Sequence, residues 1–102
     1  MSAFFEIHDY RTLIKNYLET LPNKGRGELA KIARHLEVNS TLVSQVMSGS
    51  RDFSHEQALE LSQYMGLSEL ESEYFILLVQ LEKAGTQNLK TYIRKQIGRA
   101  HV

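Results

Sequence analysis

The stretch Ile32-Ala-Arg-His-Leu-Glu-Val-Asn-Ser-Thr-Leu-Val-Ser-Gln-Val-Met-Ser-Gly-Ser-Arg51 decides the fold. It reads as two short helices, over 26–36 and 40–48, with a turn of about three residues between them. Leu29, Ile32, Ala33 and Leu36 recur at i, i+3, i+4 and i+7, the spacing of one helical face. Asn39 or Ser40 caps the next helix, and Gly49 is a natural left-handed stop at its end. Two helices joined this tightly must cross steeply, which needs a small residue where the backbones approach, and Ala33 supplies it. Leu36 and Val38 flank the turn as apolar plugs, while Val43, Val46 and Met47 give the second helix one inward face.

The other face of that helix carries Ser40, Thr41, Ser44, Gln45 and Ser48. These are uncharged donors and acceptors, with no carboxylate to repel phosphate. Glutamine can bond adenine bidentately at its major-groove edge, and Ser or Thr can reach several bases. A row of this kind on an isolated helix is more often simply solvated. Within this helix-turn-helix spacing it reads as a base-reading surface.

Outward from this core the chain continues as helices. Leu13, Ile14, Tyr17 and Leu18 form an apolar stripe over 9–21, with Pro22 beyond it. Ser54 and Gln57 form a capping box opening a fourth helix that closes at Gly66. Ser68 and Glu71 form a second box opening a long apolar helix to about Ala84, closed by Gly85. A last segment from Gln87 sets Leu89, Tyr92, Ile93 and Gln96 on one side. No stretch alternates with period two, so the predicted fold is all-α, with five to six helices and no strands.

Composition agrees with one compact domain. The chain has 102 residues, 42% hydrophobic and 24% charged, an ordinary globular composition and not that of a disordered chain. There is no cysteine, so disulfides and thiolate zinc sites are excluded. No apolar run is long enough for a membrane span and no basic-then-apolar leader opens the chain, so a cytoplasmic location is expected. The formal net charge is zero, but it is segregated. Residues 22–51 (Lys24, Arg26, Lys31, Arg34 and Arg51 against Glu28 and Glu37) carry +3. Residues 52–82 carry −7 and residues 83–102 carry +5. A phosphate backbone responds to the local patch and not to the sum.

The segment 32–49 resembles the helix-turn-helix of the lambda-repressor-like (Xre-type) superfamily. Its pattern L-A-x-x-L-G-V-x-x-x-x-[VI]-S-x-[VI]-x-x-G is met by Ile32, Ala33, Leu36, Val38, Val43, Ser44, Val46 and Gly49. The turn glycine of the pattern is Glu37 here. A left-handed glutamate costs roughly 1–2 kcal/mol, so a variant turn geometry is expected. Ser48-Gly-Ser-Arg-Asp-Phe-Ser-His-Glu56, Glu71-Ser-Glu-Tyr-Phe-Ile-Leu-Leu-Val79 and Ala84 are similar to a bacterial family of larger proteins. In that family a helix-turn-helix head precedes a C-terminal domain of unknown function, and the similarity spans about residues 8–95.

The resemblance implies sequence-specific binding of double-stranded DNA by the N-terminal head of a transcriptional regulator. Carried over by position, base reading falls on Ser40, Thr41, Ser44 and Gln45. Phosphate contacts fall on Lys24, Arg26, Lys31, Ser48 and Arg51, from the start of the second helix and the region at and after the end of the third. Leu29 stands where some relatives are polar, so no phosphate contact is carried there. Leu42 flanks the reading face, facing either a thymine methyl or the core. A homodimer is the expected working form, through 74–81 or through a C-terminal domain beyond the segment at hand.

Other chemistries lack their parts. His8, His35, His55 and His101 are scattered without ligand spacing, so no metal and no cofactor are expected. Gly25-Arg-Gly27 has neither the preceding strand nor the spacing of a phosphate loop. No nucleophile–base constellation is visible, so the chain does not read as an enzyme. The competing reading is a helical protein-interaction module that keeps the fold without reading DNA, which Glu37 and the acidic 52–82 stretch favour. The final residues, Ile97-Gly-Arg-Ala-His-Val102, match the translation of the sequencing-adapter stretch ATC GGA AGA GCA CAC GTC. A non-native tail over 97–102 is therefore expected, with Arg99 and His101 carrying no function.

Overall fold

A computed structural model describes residues 3–100 of the chain. It is all-helical: a short 3-10 turn at Ala3–Glu6, then α1 (Tyr10–Glu19), a second 3-10 turn at Pro22–Gly25, α2 (Glu28–Leu36), α3 (Ser40–Ser48), α4 (His55–Tyr64), α5 (Glu69–Lys83) and α6 (Gln87–Ala100). No strand occurs among the described residues. No helix among them is long and apolar enough to cross a membrane.

The helix ends follow local chemistry. Asp9 caps α1, accepting from the Arg11 amide at 3.3 Å and the Thr12 hydroxyl at 2.9 Å. Both expected capping boxes close reciprocally. Ser54 and Gln57 exchange bonds of 2.9 and 3.1 Å, and Ser68 and Glu71 exchange bonds of 2.8 and 3.1 Å. Three boundaries differ from expectation. The first helix stops at Glu19 and not at Leu21, because the residue before Pro22 is pushed to extended backbone (Leu21 φ −94°, ψ 158°). The second begins at Glu28 and not at Arg26, because Gly27 takes a left-handed φ of +82°. The stop after Lys83 is an extended, buried Ala84, without a left-handed glycine at 85.

One core joins α1 to α5. Tyr10, Ile14, Ile32, Val43, Val46, Phe53, Phe75, Leu78 and Val79 are buried in a single cluster. A smaller cluster of Leu77, Ala84 and Ile93 fixes α6 against α5. The segment 74–81 contributes to both clusters. Tyr74, Phe75, Leu77, Leu78 and Val79 are all buried within the chain, so they are core. Phe4 and Phe5 lie 5.9 and 5.3 Å from the Tyr74 ring, and the Tyr74 hydroxyl donates to the Ile7 carbonyl at 2.5 Å. Helix α6 runs on to Ala100, with Ile97 half-buried against both clusters and Arg99 exposed. His101 and Val102 lie outside the described residues.

Tyrosines tie several elements together, and this sets an alkaline limit on stability. The Tyr64 hydroxyl donates to Glu28 at 2.6 Å, joining α4 to α2, and this bond pushes its pKa up to about 12. Burial is the largest cause raising Tyr10, and burial raises Tyr74. A tyrosine held protonated by the fold keeps its full contribution below the ordinary pKa of 10.0, where both states are protonated. Above it the unfolded chain sheds the proton first, so stability falls as pH rises from 10.0 toward about 12. Alkaline unfolding followed by circular dichroism should therefore begin near that ordinary value. Tyr64→Phe should be less stable at neutral pH and should lose less stability between pH 10.0 and about 12 than the wild-type chain does.

Candidate nucleic-acid interface

The turn between α2 and α3 sets the interface. Glu37 is left-handed (φ 59°, ψ 42°), so the ordinary turn geometry is kept and the expected variant geometry is not observed. The amide of Val38 returns to the Ala33 carbonyl at 3.0 Å, and that of Glu37 to the Arg34 carbonyl at 3.2 Å. These bonds close α2 in the same way as a glycine stop. The chain then enters α3 through Asn39, whose Oδ1 accepts from the Leu42 amide at 2.8 Å. A glutamate in this conformation stores about 1 kcal/mol that glycine would not. Glu37→Gly should therefore raise the unfolding free energy by about 1 kcal/mol. Urea denaturation checks this directly.

Helix α3 is held from beneath and open above. Val43 and Val46 are buried, while Leu42, Gln45 and Met47 are half-buried. Ser40, Thr41, Ser44 and Ser48 are exposed. Thr41, Gln45 and Arg51 share one surface cleft with Glu37, Val38, Asn39 and Leu42. Ser40 and Ser44 stand on α3 outside that cleft. Leu42 packs partly on the core as well as lining the cleft.

The expected phosphate contacts separate into kinds. Lys24, Arg26 and Arg51 are exposed, and their side chains enter no ion pair among the described residues. Lys24 and Arg26 sit in the loop before α2, where Asn23, Lys24, Gly25 and Gly27 all have positive φ. Lys31 lies 3.9 Å from Glu28 and is 62% exposed, a surface pair of little energetic weight. Ser48 is different. Its hydroxyl donates to the Gln45 carbonyl at 3.0 Å, which spends the proton a phosphate would need. Only Arg51 is brought into the cleft with base-reading candidates.

The side chain that organises this region is Arg11, which spacing did not single out. Its Nε donates to the Val46 carbonyl at 2.5 Å, and Nη2 donates to the Arg51 carbonyl at 2.7 Å and to Asp52 Oδ1 at 3.0 Å. Asp52 also accepts from the Tyr10 hydroxyl at 2.7 Å. The guanidinium lies 4.7 Å from the Tyr10 ring centre, and Glu82 approaches Nη1 at 3.8 Å. Arg11 thus holds the last turn of α3 and the loop carrying Arg51 against α1. A faint signal existed: Arg11 lies three residues before Ile14 and seven before Leu18, on the edge of the apolar stripe.

Among the described residues the histidines form no shared site. His35 faces Glu60 at 3.8 Å and the Tyr64 ring at 4.9 Å, and His55 bonds Gln80 at 2.8 Å. Among the described residues no three His, Asp or Glu side chains converge on a metal-sized point. Comparison with protein families, curated proteins and solved structures returned no match to this chain.

Proposed function

We propose that the chain is a sequence-specific binder of double-stranded DNA, with α3 as its reading helix. The observation that carries this is the split of α3. Val43 and Val46 are buried, while an uncharged polar row lies outward and Arg51, in no ion pair among the described residues, shares a cleft with Thr41 and Gln45. In this reading α3 enters the major groove, and Ser40, Thr41, Ser44 and Gln45 meet base edges. Lys24, Arg26, Lys31 and Arg51 hold phosphates and set the register. The resemblance extends the proposal to the N-terminal head of a bacterial transcriptional regulator acting in the cytoplasm. A pair of heads would then bind half-sites about one helical turn apart.

The test is a salt series on duplex binding followed by fluorescence anisotropy. Each neutralised phosphate contributes a slope of about −0.9 in log affinity against log salt. Arg51→Ala should weaken binding to all duplexes and flatten the slope by about one. Gln45→Ala should leave the slope and cost about 1–3 kcal/mol on the preferred site alone. Equal effects of both changes on every duplex contradict this division of labour.

Glu37 favours a second reading, because it puts a carboxylate in the same cleft. A helical protein-interaction module would tolerate that charge, whereas a DNA reader is opposed by it. Wild-type binding to duplex DNA that is absent even at low salt selects the second reading.

A further inference from the structure

Between α5 and α6 the chain leaves an open groove of about 450 Å³, within the size range of small-molecule sites. Its floor is apolar: Val79, Ala84 and Ile93 are buried residues that line it. Leu89 and Tyr92 form its α6 wall and are 45% and 59% exposed, so apolar surface there meets solvent. The lining ends at Gln96, before the expected non-native tail.

No acid is among the polar side chains around this floor. Lys83 is exposed and enters no ion pair among the described residues. Gln80 places its Nε2 2.8 Å from His55 Nδ1. An amide nitrogen only donates, so Nδ1 accepts and the neutral imidazole carries its proton on Nε2. His55 is thereby a second donor on the lining. The acids next to these residues in sequence are engaged elsewhere: Glu82 lies 3.8 Å from Arg11, and Glu56 lines a separate cleft with His35 and Leu36. An apolar floor beside a cation and a donor, with no carboxylate on the lining, complements a molecule that has an anionic head and an apolar body. We infer that the α5–α6 groove binds a small monocarboxylate, whose head pairs with Lys83 and whose apolar body lies on Val79, Ala84 and Ile93. A cationic ligand would be repelled by Lys83, and a neutral one would leave it unused. The site uses no residue of α3 and stands whether or not the chain reads DNA.

The test takes octanoate as the probe, with octanamide as its neutral isostere, octylamine as its cationic counterpart and acetate as a head without a body. Octanoate should raise Tm progressively through the millimolar range and shift the methyl resonances of Val79 and Ile93 in an NMR titration. Octanamide should bind about fivefold or more weakly, and acetate and octylamine should give neither effect. Lys83→Gln should lower octanoate to the affinity of octanamide without changing octanamide itself, whereas Lys83→Arg should retain octanoate binding. Lys83 is exposed, so both variants should fold as wild type does, which circular dichroism checks. Octanoate that fails to bind at millimolar concentration overturns the proposal. So does octanamide that binds as well as octanoate, or octanoate binding indifferent to Lys83→Gln. Resonance shifts confined to Leu13 and Met65, which line a different apolar groove beside α1, overturn it as well.

Discussion

Arg11→Ala should destabilise the domain by about 3 kcal/mol, lowering Tm by on the order of 10–20 °C. The side chain is 12% exposed and donates to two backbone carbonyls and the Asp52 carboxylate. Truncation takes the guanidinium donor from the Arg51 carbonyl and leaves Asp52, itself only 29% exposed, with the Tyr10 hydroxyl, while the Val46 carbonyl keeps the Gly49 amide at 3.0 Å. An unpaired, largely buried carboxylate is costlier than the missing bond alone. Arg11→Lys should recover only part of the loss, since an ammonium cannot reproduce a fork that spans Val46, Arg51 and Asp52. Differential scanning calorimetry of the two variants reads both effects. If they match wild type within about 0.5 kcal/mol, the clamp contributes nothing. The same change frees the end of α3 and the Arg51 loop, so duplex binding should weaken even at temperatures where the variant is fully folded.

The second large effect is Gly25→Ala. Gly25 has φ +77°, and a methyl group there would sit 2.9 Å from both the Leu18 Cβ and the Leu18 carbonyl oxygen. The left-handed backbone and the overlap together should cost about 2–4 kcal/mol. Gly27 is the control, because its φ is +82° but nothing lies within 4 Å of an added Cβ. Gly27→Ala should cost about 1 kcal/mol, the conformational part alone. Chemical denaturation of the pair separates strain from collision, and equal costs would mean that the Leu18 contact is not limiting. In the proposed DNA-binding reading this loop also carries two of the phosphate contacts, Lys24 and Arg26.

The contrast between these sites shows what could be read in the sequence and what could not. Caps are local: Ser54 with Gln57 and Ser68 with Glu71 are three residues apart, so their pairing was visible before any tertiary information, whereas the cap of α3 was open between Asn39 and Ser40 and falls on Asn39. The inward face of α3 was equally visible, since Val43 and Val46 repeat with the helical period. The start of α2 was not, because a glycine at 27 is equally compatible with a helical or a left-handed backbone, and only the folded loop shows the left-handed one. Nor was the Arg11–Asp52 pair, whose members are 41 residues apart and whose acid was grouped with the negative stretch. The segment 74–81 is apolar nearly all round, a pattern equally suited to core or interface. The aromatic turn at Phe4 and Phe5 and the packing of α6 decide for core. At the interface, the outward row of α3 was legible, but the turning of the Ser48 hydroxyl onto the Gln45 carbonyl was not. A serine at the end of a helix looks the same in sequence whether its proton is free or spent.

The most direct test of the central claim is selection from a randomised duplex pool at moderate salt, using the chain described above beside Thr41→Ala/Gln45→Ala. Both substitutions are on the outward side of α3, and neither touches the buried Val43 and Val46. The account predicts that the wild-type chain enriches a defined motif and that the double variant, still folded by circular dichroism, blurs it at adjacent base pairs. No enrichment by the wild-type chain, or a motif indifferent to the two substitutions, would contradict α3 as the reader.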